Sequence, residues 1–68
     1  MRIRLNGSER EAEAGWTVGD LLRDLGVPPF GTAVEVNGVI LEGEARGNQR
    51  LAEGDLVEVV RVVGGGQI

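Results

Sequence analysis

A chain of 68 residues with neither cysteine nor histidine must hold itself together by apolar packing alone. Small folds usually supplement a thin core with disulfides or a structural metal. Without Cys a disulfide is excluded, and without Cys or His the usual ligands of a structural zinc site are missing. The stabilising work therefore falls on Val, Leu and Ile within an apolar fraction of 41%, which is ordinary for a globular domain. The length admits one domain.

The order of elements follows from periodicity and turn chemistry. In Arg2 to Asn6, Ile3 and Leu5 alternate with polar residues, the period of a half-buried strand. Asn6-Gly7 then supplies a hairpin turn, and a second strand is expected over about Arg10 to Glu13. Thr17 caps a helix, with Asp20 placed where the helix dipole favours negative charge. Val18, Leu21, Leu22 and Leu25 form one apolar stripe, Gly26 suits a left-handed C-terminal cap, and Pro28-Pro29 forbids continuation. Thr32 to Val36 and Val39 to Leu41 read as a strand pair around Asn37-Gly38. Residues 42–49 read as a polar loop, with Leu51 plugging the core after it.

Leu56 to Val63 is the strongest strand pattern in the chain. Val57 and Val59 point one way, Val60 and Val62 the other, as in a central strand. The expected fold class is α+β: a mixed sheet of four to five strands crossed by one helix, with the first and last strands parallel neighbours. Residues 1–63 form this domain, and 64–68 are a flexible glycine-rich tail.

Charge narrows the partners. A net charge of -4 and a pI near 4.6 disfavour nucleic acid, and Trp16 and Phe30 alone cannot form a base-stacking platform. No apolar run approaches membrane-spanning length, and MRIRLNG is not a signal peptide, so a cytoplasmic location is expected. The acidic surface suits a basic surface on a partner protein. All seven basic residues are arginine, most simply a compositional bias.

An internal active site is nearly excluded. Lacking His, Cys, Lys and Tyr, the chain has few groups for acid–base or nucleophilic work. Ser8 is the only serine and sits in a hairpin turn. The pairs Glu42/Glu44 and Glu53/Asp55 read as solvated loop charge, lacking EF-hand spacing. No resident metal or cofactor is expected. Gly64-Gly65-Gly66 has neither the helix nor the Lys of a phosphate loop after it. A thread of three glycines is either a terminus without function or a backbone made to pass through a narrow cleft in another protein. Val60 and Val62, on the sheet face away from the helix, are candidates for a partner-binding patch together with Arg61. The other reading of the valines is packing under the loop at 42–49.

The segments V-E-V-N-G-V-I (Val34 to Ile40) and R-L-A-E-G-D-L-V-E-V-V-R-V-V-G-G-G (Arg50 to Gly66) resemble the sulfur-carrier family of thiamine biosynthesis, ThiS. The opening I-R-L-N-G (Ile3 to Gly7) and the helix end D-L-L-R-D-L-G (Asp20 to Gly26) fit as well, so the likeness covers essentially the whole chain. It implies a ubiquitin-like β-grasp fold and a role as protein co-substrate, not as an enzyme. An E1-like adenylating enzyme would use ATP to activate the terminal glycine carboxylate. A sulfur donor such as a cysteine desulfurase would supply the sulfur of a thiocarboxylate, and thiazole synthase would receive it.

The resemblance implies Gly66 as the activated residue, with Gly65 the alternative. Family members generally end at the glycines, whereas Gln67 and Ile68 follow here. Proteolytic trimming, an inactive product, or service in another carrier branch would each account for that. Related carriers for molybdopterin, cysteine or tRNA thiolation share the tail chemistry. From a different class, a non-catalytic β-grasp interaction module would use only its sheet face.

Overall fold

Two Asn-Gly turns set the register of the sheet. Asn6 and Gly7 have φ of 51° and 85°, and Asn37 and Gly38 have 52° and 85°. Positive φ at both central residues is the turn whose twist matches a pair of antiparallel strands. The computed structural model describes residues 1–28 and 30–62. Around the turns it places β1 (Arg2–Leu5), β2 (Ser8–Glu11), β3 (Thr32–Val36) and β4 (Val39–Ile40), with α1 (Val18–Leu25) between the hairpins. A short helix α2 (Ala45–Asn48) and the strand β5 (Leu56–Arg61) follow.

The sheet order is β2-β1-β5-β3-β4. β1 runs parallel to β5, and the other neighbours are antiparallel. This is the expected mixed sheet, with five strands. β2 begins at Ser8, two residues before the position expected from the sequence. Leu5 pairs directly with Ser8, so a two-residue turn resumes the ladder at once. Its sequence, S-E-R-E, carries no apolar alternation; backbone pairing at the sheet edge holds it.

Thr17 and Asp20 cap α1 reciprocally. The Thr17 N–H donates to Asp20 Oδ2 at 2.9 Å, and the Asp20 N–H donates to Thr17 Oγ1 at 3.2 Å. The bond from the Thr17 backbone holds the Asp20 carboxyl below its usual range, helped by the Thr17 hydroxyl. Gly26 closes the helix in the left-handed conformation, φ 70°. Val18, Leu21 and Leu22 face the sheet, where they meet Ile3, Val34, Val36, Val57 and Val59; Leu51 plugs one end.

Residues 42–49, expected to be loop, contain α2. Nothing apolar marks it, because backbone contacts hold it against α1. The Val18 N–H donates to the Gln49 carbonyl at 2.8 Å, and Arg46 donates to the Thr32 carbonyl at 3.1 Å and to the Thr32 hydroxyl. The backbones approach so closely at Gly19 that a Cβ there would stand 2.9 Å from the Gly47 carbonyl oxygen. β5 stops at Arg61, short of the expected Val63, which lies outside the described residues.

Leu22→Ala should lower stability by roughly 2–5 kcal/mol, read by urea unfolding. A loss below about half a kcal/mol would show that the stripe does not carry the core. In an open helix Gly19→Ala would gain up to about 1 kcal/mol. Here we expect a net loss, and an unfolding midpoint above that of the parent would show that α2 yields to the methyl group.

Candidate functional site

β5 carries the chain from the middle of the sheet toward its glycine tail, and two asparagine side chains clasp it near its ends. β1 ends at Leu5, opposite Val57, so the Val59 peptide has no β1 backbone beside it. The Asn6 amide takes that place: Oδ1 accepts the Val59 N–H at 2.8 Å and Nδ2 donates to the Val59 carbonyl at 3.1 Å. At the other end Asn37 Oδ1 accepts the Leu56 N–H at 2.9 Å, and Nδ2 donates to Asp55 Oδ1 at 2.9 Å. Both are the first residues of the Asn-Gly turns. Sequence reasoning saw the turns and missed the clasp. The signal was the repeated choice of Asn, whose side chain can copy a peptide group.

Asp55 also accepts the Ala52 N–H at 2.8 Å, and Glu53 accepts the Arg2 N–H at 3.0 Å. These two carboxylates are turn ligands that tie the approach to β5 against β1 and Asn37. Ser8, expected in the turn, is the first residue of β2.

Past Arg61, which pairs with Thr32, the Val62 N–H donates to the Gly31 carbonyl at 2.9 Å. Next to Gly31, Phe30 is 77% exposed, and Val62 is 65% exposed. Arg61 lines a pocket of about 320 Å³ with Leu25, Val27 and Phe30, at the C-terminal end of α1. Val60 lies on the opposite face. The three residues expected to form one patch are therefore divided: Arg61 on the helix side, Val60 on the outer side, Val62 past the strand end. Gly64, Gly65 and Gly66, the 63/64 boundary and the trailing Gln67 and Ile68 lie outside the described residues.

On the outer face Val60 sits opposite Ala33, and Glu35 opposite both Glu58 and Ile40. With Val34 these residues line a depression of about 270 Å³. The alternative of Val60 packing under residues 42–49 does not hold, because that segment packs on α1 through Gly47 and Arg46. Among the described residues no helix is long and apolar enough to cross a membrane.

A five-stranded mixed sheet in this order, crossed by a capped helix and extended at its central strand by a glycine tail, defines a β-grasp domain. The crystal structure of the thiamine biosynthesis protein (ThiS) from Geobacter metallireducens superposes with a TM-score of 0.80 at 33% identity, covering 97% of this chain and 100% of that one. The solution structure of a thiamine biosynthesis protein from the same organism gives 0.76 at 34% identity, covering 100% and 91%. The ThiS family model matches residues 3–66, and the chain belongs to that family.

Two longer proteins are also similar. The thiazole synthase of Magnetococcus marinus is 45% identical over 67 residues, which are 98% of this chain and 21% of that protein. The thiazole synthase of Paramagnetospirillum magneticum is 38% identical over 66 residues, 97% and 20% respectively. The chain thus spans about a fifth of the length of these curated relatives.

Asn6→Gly keeps the positive φ and removes the clasp. It should cost about 1–3 kcal/mol, the range for leaving partly buried peptide groups without partners. Hydrogen exchange at the Val59 amide should accelerate; unchanged exchange there would show that the Asn6 side chain does not hold the strand.

Proposed function

We propose that the chain is a sulfur carrier for thiazole formation in thiamine biosynthesis, working through its backbone carboxylate at Gly66. The observation that carries this reading is the family match, which runs through the third glycine. The geometry agrees with it. β5 is bonded to β3 up to Arg61 and held on the other side by β1 and Asn6 as far as Val59, so the chain approaches its tail from a strand anchored in the sheet. Three residues without Cβ can enter a cleft that any side chain would block.

The chemistry is performed by groups outside this chain. A carboxylate is a poor electrophile because resonance spreads its charge. One carboxylate oxygen attacks the α-phosphorus of ATP on an E1-like enzyme, releasing pyrophosphate and leaving an acyl-adenylate. A persulfide sulfur, supplied by a donor such as a cysteine desulfurase, then attacks the acyl carbon and expels AMP. Reductive cleavage of the remaining S–S bond by a thiol leaves the thiocarboxylate. Activation at Gly66 requires that the Gly66–Gln67 peptide bond be hydrolysed first. ATP and any metal belong to the activating enzyme, and this chain is co-substrate rather than catalyst.

Thiazole synthase is the proposed acceptor. The support is that proteins bearing that name contain a segment similar to nearly all of this chain. Carriers for molybdopterin, cysteine or tRNA thiolation would use the same tail chemistry, and the ThiS match favours thiazole among them.

Intact mass spectrometry after incubation with the cognate adenylating enzyme, ATP and a sulfur source tests the reading. The expected product ends at Gly66 and carries one sulfur in place of oxygen; an end at Gly65 would select the alternative residue. Gly66→Val should unfold like the parent and fail to gain sulfur. Equal thiolation of that variant would overturn the tail assignment.

A further inference from the structure

Covalent geometry alone bounds how far Gly66 can lie from the sheet. Val62 is the last described residue, and Gly66 follows it by four positions. A fully extended chain gains at most about 3.6 Å per residue, so the Gly66 Cα lies within about 14 Å of the Val62 Cα whatever path the chain takes. An enzyme that acts on the Gly66 carboxyl must therefore bring its surface up to this end of the sheet.

That end joins exposed apolar surface to a positive charge. Phe30 and Val62 are both exposed, and the bond from the Val62 N–H to the Gly31 carbonyl holds them side by side. Between Phe30 and the C-terminal end of α1 lies the pocket of about 320 Å³. Leu25, Val27 and Pro28 form its apolar wall, and among the described residues Arg61 is the only ionisable side chain lining it. Among those residues, too, no carboxylate pairs with Arg61. The chain has 11 acidic residues against 7 basic ones, so an arginine without an acid beside it runs against its general charge. Covering Phe30 would remove a large apolar side chain from water.

We propose that this pocket docks the enzyme that activates Gly66, taking an apolar side chain between Val27 and Phe30 and a carboxylate from the same surface on Arg61. The proposal rests on the carrier reading, which puts Gly66 in a foreign active site, and it names the chemistry at the mouth of that site. Two observations commit the occupant. The short reach to Gly66 brings the enzyme to this end, and the guanidinium selects an acidic patch there, which its planar fork can hold through two bonds.

Two double variants remove the same chemistry in different places. Phe30→Ser with Arg61→Gln alters the pocket, while Val39→Ser with Arg50→Gln removes an exposed apolar side chain and an exposed arginine elsewhere. Binding to the cognate adenylating enzyme is measured by calorimetry at low and high salt, with thermal unfolding of each free variant alongside. The pocket variant should bind roughly tenfold or more weakly. The control should stay within about twofold of the parent. Measured singly, the loss from Arg61→Gln should shrink at high salt and that from Phe30→Ser should persist, because salt screens charge and not apolar burial. Arg61→Glu should weaken binding further than Arg61→Gln; an unchanged or tighter complex overturns the proposal even where the double variant folds poorly. Equal affinity of the two double variants also overturns it. So does self-association of the parent in sedimentation that Phe30→Ser abolishes, because the occupant is then a second copy. Failure here with normal thiolation of the parent would leave the carrier reading standing, whereas a parent that docks through the pocket but is never thiolated would remove that reading and keep the docking surface.

Discussion

The pairing of β5 between β1 and β3 is the constraint on which the rest of the molecule depends. Among the described strands β5 is the last in sequence and the central one in space, so the sheet cannot close until β5 is in place. Its inward valines, Val57 and Val59, are 1% and 0% exposed and lie at the centre of the core beneath α1. Its backbone is bonded on one side to β3 over five residue pairs and on the other to β1 over two. The Asn6 amide makes up the shortfall on the β1 side. A shift of β5 by one residue would turn Val57 and Val59 outward and bring Glu58 into the core, which is why the register is firmly specified.

That arrangement also bears on the proposed carrier role. The strand that carries the core is also the strand that precedes the glycine-rich segment in sequence. Nothing on the described surface resembles a catalytic set. Glu53 and Asp55, which as a pair suggest acid–base chemistry, are committed to the turn before β5. The described chain ends its run along the sheet at Val62, bonded to Gly31 and close to Phe30 and Arg61.

The helix pair illustrates the other use of glycine in this chain. Gly19 would be a poor choice within α1 on propensity alone. It is required because α2 crosses there with its backbone almost in contact, and Gly47 supplies the facing surface. Arg46 then reaches from α2 to Thr32 at the start of β3, linking the crossing helix to the strand that borders the tail exit.

Much of this was legible in the sequence. Strand alternation, the capped apolar stripe from Val18 to Leu25 and the two Asn-Gly turns determine the elements, because each depends on contacts within a few residues. The two-sided valines of β5 point to a central strand, and the composition excludes a disulfide and leaves few nucleophilic side chains. The tertiary structure alone decided the rest. β2 starts at Ser8 because a ladder, not a pattern, holds it. α2 exists because α1 and β3 satisfy its backbone and Arg46. Glu35 meets Glu58, because strand register joins residues 23 positions apart. Such pairings carry no local signature: their energy appears only when distant segments are brought side by side.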